Sequence, residues 1–281
     1  AHAIGVPSAI VGTAPSMDGY ASNSSSMEVN HVKVSLYNHA PVGILLDSEI
    51  LAQAPMRMLW AGLGDMVAKY IAICEWRISN IVTGEYYCER VADMARQALD
   101  MMTDCANELL RGGKPDFEAM TMAQMISGLT MQMLRNSRAA SGAEHLIAHL
   151  VEMKPPRFEN AHGIHGECVG VGTVLCAREY HRMARSTPKA RPFEPLAESW
   201  VREKFGPLAD GIMKENENDV LASFDPQNIV DNWDAICEII SGIPEAKELE
   251  ATFRGLGGKY RLPDIGIDEA LEPEILDISA A

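Results

Sequence analysis

Apolar and polar positions change their period near residue 50. Before that point the pattern is strand-like. Ser8–Val11 is a short apolar run after Gly5 and Pro7, and it predicts a buried strand. Between His31 and Tyr37 the apolar residues Val32, Val34 and Leu36 alternate with polar ones, the signature of a half-buried strand. Val42–Leu46 is unbroken apolar sequence ending at Asp47, which predicts another buried strand. Thr13–Tyr20 carries Pro15, Asp18-Gly19 and small hydroxyls, the composition of a turn.

From Asp47 onward the period is helical. Asp47 or Ser48 suits the cap of a short helix. Pro55 suits the first turn of a long one running through Trp60, Asp65 and Lys69 beyond Trp76. A helix over Tyr86–Leu110 is ended by Gly112-Gly113, and another runs from Asp116 or Phe117 to Arg135. Ser141–Met153 is stopped by Pro155-Pro156, and His165–Ala184 follows. Further helices are expected near Pro195–Phe205, Ala209–Glu217, Pro226–Ser241 and Ile267–Leu271. No internal repeat or low-complexity segment is present. The expected architecture is α/β plus all-α, a small α/β piece over residues 1–50 followed by an all-helical domain over 51–281.

Composition narrows the function classes. The 281 residues suffice for one large or two ordinary domains, and 47% are hydrophobic. Sixteen methionines suit irregular packing between helices. A net charge of −15 argues against nucleic acid or an anionic membrane as the main partner, while leaving room for a small anionic substrate. No apolar run is long enough for a membrane span. Six scattered cysteines without a C-x-x-C pair predict free thiols in a reducing compartment, and no signal peptide is visible, so a cytoplasmic protein is expected.

The histidines carry the chemistry. His145 and His149 stand at i and i+4, on one face of the Ser141–Met153 helix. Neutral imidazole is the commonest protein metal ligand. The spacing differs from the H-E-x-x-H of zinc proteases, because nothing acidic lies between the pair. His165 opens the next helix in His165-Gly166-Glu167, where it can face back across a cleft; His162 can do the same, and residue chemistry alone does not choose. Asp65 is the candidate carboxylate. An acid within the apolar, glycine-containing stretch Ala61–Tyr70 is costly unless partnered, either by a metal or by Lys69 at i+4. The Thr13–Ser26 loop follows a strand, and ligands of α/β sheets bind beyond strand carboxyl ends. It reads as a ligand loop or as a polar surface turn.

Four segments occur in order: Thr13-Ala14-Pro15-Ser16-Met17-Asp18-Gly19-Tyr20-Ala21-Ser22, Ala61-Gly62-Leu63-Gly64-Asp65 with Lys69-Tyr70, Ser141-Gly142-Ala143-Glu144-His145 with His149, and His165-Gly166-Glu167 with Val169-Gly170-Val171-Gly172-Thr173. Together they resemble the sn-glycerol-1-phosphate dehydrogenase family, within the group that contains iron-dependent alcohol dehydrogenases, glycerol dehydrogenase and dehydroquinate synthase. The resemblance covers roughly residues 1 to 180 by motif. It implies the C-terminal portion of a Rossmann-like nucleotide-binding domain followed by a helical metal-binding domain of the dehydroquinate synthase kind. It implies Asp65, His145 and His165 as metal ligands, the Gly-Glu after His165 favouring it over His162. Asp18, Asp65 and His149 are implied as substrate contacts, with Asp18 and His149 catalytic. Thr13, Ala14, Pro15, Ser16 and Ser22 are implied as cofactor contacts.

The implied reaction interconverts dihydroxyacetone phosphate and sn-glycerol 1-phosphate with NAD(H) or NADP(H) and one divalent metal, zinc or nickel, as a step of phospholipid biosynthesis. A homo-oligomer is implied, with no nucleic acid and no stable membrane insertion. Lys69, Arg135 and Arg138 are candidates for the substrate phosphate. The family's Gly-rich diphosphate loop belongs upstream of Ala1, so an N-terminally truncated chain is expected. Two alternatives stand beside this reading: a glycerol or other polyol dehydrogenase, and a metal-binding remnant without redox activity.

Overall fold

The computed structural model describes residues 2–192, 194–217 and 224–279. The first fifty residues hold β1 (Ala9–Gly12), β2 (Ser24–Val29), β3 (Val32–Tyr37) and β4 (Gly43–Leu46). β1 and β4 pair in parallel, with Ala9 opposite Gly43 and Gly12 opposite Leu46. β2 and β3 form an antiparallel hairpin in which Val29 faces Val32. Its two turn residues, Asn30 and His31, have φ of 53° and 65°, the doubly positive φ that matches strand twist in a two-residue hairpin loop.

Two expectations change here. β2 occupies a serine-rich stretch read as loop, because its polar residues show no apolar alternation of their own. The strands predicted as buried are not: Val11 is 59% exposed and Leu45 62%. Among the described residues no third strand pairs with β1 or β4, so their apolar side chains have nothing to pack under.

The remainder is helical. Asp47 caps α1 (Ser48–Leu51) by accepting the N–H groups of Glu49 and Ile50. The predicted long helix divides into α2 (Met56–Val67) and α3 (Lys69–Thr83) at Ala68, whose carbonyl accepts from Ile71 in a tight i to i+3 step. α4 (Glu89–Leu110), α5 (Phe117–Leu134), α6 (Ala143–Met153) and α7 (His165–Ala184) follow, close to their predicted spans. Next come α8 (Glu198–Phe205) and α9 (Ala209–Glu215). The predicted Pro226–Ser241 helix divides at Asn232 into α10 (Gln227–Asp231) and α11 (Trp233–Ile240). α12 (Ala246–Leu256) was not predicted. Its buried stripe is only Ala246, Leu249 and Phe253 among many charges. The predicted Ile267–Leu271 helix is a 3₁₀ turn, Glu269–Leu271, leading into α13 (Glu272–Ile278). No described helix is long and apolar enough to cross a membrane.

α7 is the axis of the helical part, buried continuously from Gly166 to Ala177, with α2 and α6 packed on it. The α2–α7 contact is a backbone contact. A Cβ on Gly64 would lie 2.1 Å from the Gly166 carbonyl oxygen, and one on Gly166 would lie 2.0 Å from that of Ala61. Only glycine permits this approach. It brings the C-terminal half of α2, with Asp65, against the first turn of α7, with His165.

Candidate metal centre

Asp65 on α2, His145 on α6 and His165 at the start of α7 converge. Asp65 is 1% exposed. Its Oδ2 accepts the backbone N–H of Asp18 at 2.8 Å. Its Oδ1 has no hydrogen-bond partner and lies 3.4 Å from Nε2 of His145 and 3.6 Å from Nε2 of His165. Those separations are too long for well-formed hydrogen bonds.

The opposite nitrogen of each ring is held by a carboxylate. Nδ1 of His145 is 2.8 Å from Glu144 Oε1, and Nδ1 of His165 is 2.8 Å from Glu152 Oε1. A proton on Nδ1 donated to the carboxylate leaves the Nε2 lone pair free and fixes the ring, the arrangement that supports metal-ligating histidines elsewhere. An orphaned buried carboxylate oxygen facing two such lone pairs is satisfied by a divalent cation. The donor atoms of Asp65, His145 and His165 lie within 4.8 Å of one another. The residues therefore fit a metal, with coordination positions left over for a substrate. A second grouping, His149, Glu152 and His165, shares His165. There Glu152 Oε1 is already bound to Nδ1 of His165, so the Asp65 set is the better site.

The electrostatics follow from burial and neighbours. Burial opposes ionisation of Asp65, but His145, Lys69 and His165 outweigh it and hold the carboxyl far below its usual range. Burial likewise opposes charge on His145, yet Asp65 and Glu144 raise its pKa to about 9 without a metal. His149 goes the other way, to about 3, because burial and the neighbouring His145 both disfavour its charge. Its ring stacks on His165 with centroids 5.9 Å apart. Against the cost of burial, His165 and Lys33 bring Glu152 down to about 2.

Asp18 and Lys69 support the centre from behind. The Asp18 Oδ2 atom accepts from Lys69 Nζ and, at 2.6 Å, from Ser127 Oγ. Lys69 also donates to the backbone carbonyl of Asp65 at 2.9 Å. Lys69 thus pairs with Asp18, not with the Asp65 carboxylate. Being fully buried, it is unavailable to a substrate phosphate. Arg138 is committed to Glu85 at 2.8 and 2.9 Å.

The loop residues divide. The Pro15 carbonyl accepts from Gln124 at 3.0 Å, and a Cβ on Gly62 would sit 2.0 Å from that oxygen, so the loop rests directly on α2. The Ala14 carbonyl accepts from Tyr20, and Thr13 is exposed. Ser22 turns toward the hairpin, its hydroxyl 2.9 Å from that of Ser24. Ser16 lines a cavity of about 530 Å³, together with Ser24, Lys33, Glu152 and His165. His162 lies outside the cluster, exposed, with its backbone N–H bonded to Ile265. Glu144, Glu152 and Lys33 escaped the sequence reading. The available signal was that Glu144 adjoins His145 and Glu152 stands three residues beyond His149 on the same helix.

Residues 1–55 match the family model described as "Iron-containing alcohol dehydrogenase". A glycerol-1-phosphate dehydrogenase [NAD(P)+] of Halalkalibacterium halodurans is 29% identical over 98% of the chain and 62% of its own length. One from Methanothrix thermoacetophila is 34% identical over 62% of the chain and 48% of its own length. The chain thus spans less than two thirds of these relatives. In fold, it resembles glycerol dehydrogenase from Schizosaccharomyces pombe, with a TM-score of 0.53 at 20% identity over 93% of this chain and 69% of that one. It also resembles an iron-containing alcohol dehydrogenase from Corynebacterium glutamicum, with a TM-score of 0.56 at 13% identity over 98% and 60%. By these likenesses the chain is similar in sequence to glycerol-1-phosphate dehydrogenases, and in fold to glycerol and iron-containing alcohol dehydrogenases.

Proposed function

We propose that this chain carries the metal- and substrate-binding part of an NAD(P)-linked oxidoreductase that interconverts dihydroxyacetone phosphate and sn-glycerol 1-phosphate. The observation that carries the reading is the orphaned Oδ1 of Asp65 facing the Nε2 atoms of His145 and His165. A divalent cation, zinc or nickel, held by these three side chains supplies Lewis acidity toward a substrate carbonyl. Asp65 is kept ionised by its neighbours and oriented by the Asp18 N–H. His149 stays neutral, so its ring both donates to and accepts from a substrate hydroxyl or relays a proton. Asp18 is a substrate contact through the carboxylate oxygen not committed to Lys69 and Ser127. Thr13, Ala14, Pro15, Ser16 and Ser22 contact NAD(H) or NADP(H). The acting form is a homo-oligomer. All six cysteines are free, which supports a cytoplasmic setting.

The test is reduction of dihydroxyacetone phosphate by NADH and NADPH with the full natural protein, before and after chelation. Turnover that chelation removes and zinc or nickel restores is the expected result. Oxidation of glycerol with no reaction of dihydroxyacetone phosphate would favour a polyol dehydrogenase. Metal binding with no turnover of either substrate would favour a non-redox remnant.

A further inference from the structure

We propose that Lys33, with the serine hydroxyls of β2, forms the subsite for the substrate's phosphate; this rests on the triose phosphate reading above. A phosphate beside the metal centre needs a cation, and two of the three cations that sequence suggests are already committed. Lys69 is buried on Asp18, and Arg138 is bound to Glu85. Arg57 and Lys259 are near the start of α7 but both neutralise Glu167, at 2.6 and 3.0 Å.

Lys33 differs. Among the described residues lining the cavity beside His165, it is the one Lys or Arg. Its side chain is 22% exposed, and its Nζ lies 3.0 Å from Glu152 Oε2. An ammonium group has three donors, so the contact with Glu152 leaves two for phosphate oxygens. Ser24, Ser25 and Ser26 line the same cavity and add hydroxyl donors.

The position relative to the metal centre suits a short substrate. Glu152 touches Lys33 with one oxygen and His165 Nδ1 with the other, at 3.0 and 2.8 Å. One carboxylate and one imidazole thus separate the phosphate cation from the face of the ligands. In a triose phosphate the phosphorus is only three bonds from the carbonyl carbon, so a ketone at the ligand face brings its phosphate toward this cavity. The Glu152 carboxylate also makes Lys33 necessary, since without that cation it would repel the dianion.

The same chemistry can recognise the diphosphate of the dinucleotide, so the experiment separates the two. Binding of dihydroxyacetone phosphate, dihydroxyacetone and NADH to the zinc-loaded full natural protein is measured by calorimetry for wild type, Lys33→Gln and Lys33→Arg. Lys33→Gln is expected to weaken dihydroxyacetone phosphate roughly 10- to 100-fold, the loss of a hydrogen bond to a charged group. Dihydroxyacetone, NADH and zinc content should stay unchanged, and Lys33→Arg should retain most of the affinity. Unchanged dihydroxyacetone phosphate binding in Lys33→Gln overturns the subsite. So does an equal loss for all three ligands, which marks a structural role, or a loss confined to NADH, which assigns the lysine to the cofactor. A wild type that binds dihydroxyacetone but not its phosphate ester overturns the substrate reading itself, and the subsite with it.

Discussion

Glu144 is completely buried and holds Nδ1 of His145 at 2.8 Å, on the side of the ring opposite the nitrogen that faces Asp65. The same Glu144 oxygen accepts the Gly142 N–H at 2.7 Å, which ties the His145 ring to the first turn of α6. Glu144→Gln keeps the size but removes the charge that raises the basicity of His145. Zinc affinity should fall roughly 10- to 100-fold, while Asp65→Asn, which removes a ligand charge outright, should abolish stoichiometric binding. Competition against a chromophoric chelator reads both. Undiminished affinity in Glu144→Gln would mean that His145 does not depend on this carboxylate.

Lys69 and Asp18 form a buried pair joined to Asp65 through a backbone carbonyl and a backbone N–H. Removing one partner leaves an uncompensated charge. Lys69→Met is expected to cost about 3–5 kcal/mol, because Asp18 then has only Ser127 to satisfy it. Adding Asp18→Asn to Lys69→Met should recover much of the loss. Urea unfolding of the two variants checks this, and a double variant no more stable than Lys69→Met would contradict the pairing.

The helices that build the centre were legible because their faces are periodic. α5, α6 and α7 lie close to where apolar spacing and flanking glycine or proline put them. Breaks at Ala68 and Asn232 were not legible, since both continue in helical backbone or helix-compatible sequence. β2 was hidden because hydrogen bonding to β3, not its own serines, makes it a strand. Within the candidate centre, the family resemblance implied Asp65, His145 and His165, and these three side chains do converge. The Gly166-Glu167 motif already favoured His165 over His162, whereas the pairing of Lys69 with Asp18 instead of Asp65 needed tertiary structure. Glu144, Glu152 and Lys33 gain meaning only when helix α6, the hairpin and the start of α7 are brought together.

Gly64 tests whether the α2–α7 contact sets the metal geometry. In Gly64→Ala the new methyl would meet the Gly166 carbonyl oxygen at 2.1 Å, so the helices must separate. Overpacking in a tight core costs about 1–3 kcal/mol. A lower Tm is expected together with weaker zinc binding, since Asp65 and His165 sit on the two helices that part. A variant with lowered Tm but wild-type zinc affinity would show that the centre tolerates the shift.

His145 sets the sign of the pH response. Without metal its pKa is raised from 6.5 to about 9, so the folded state binds this proton more tightly than the unfolded chain. The stability this provides is complete below pH 6.5 and is lost as pH rises through about 9. A cation requires the same nitrogen deprotonated, so its affinity moves in the opposite direction. Within that window zinc affinity should rise by about tenfold per pH unit for one displaced proton. His149 does not contribute there, because its pKa of about 3 keeps it neutral. The increase in Tm on adding buffered free zinc should therefore grow steadily from pH 6.5 toward 9. A zinc-induced increase that stays flat across this range would mean that no proton leaves His145 on binding, and would remove His145 from the coordinating set.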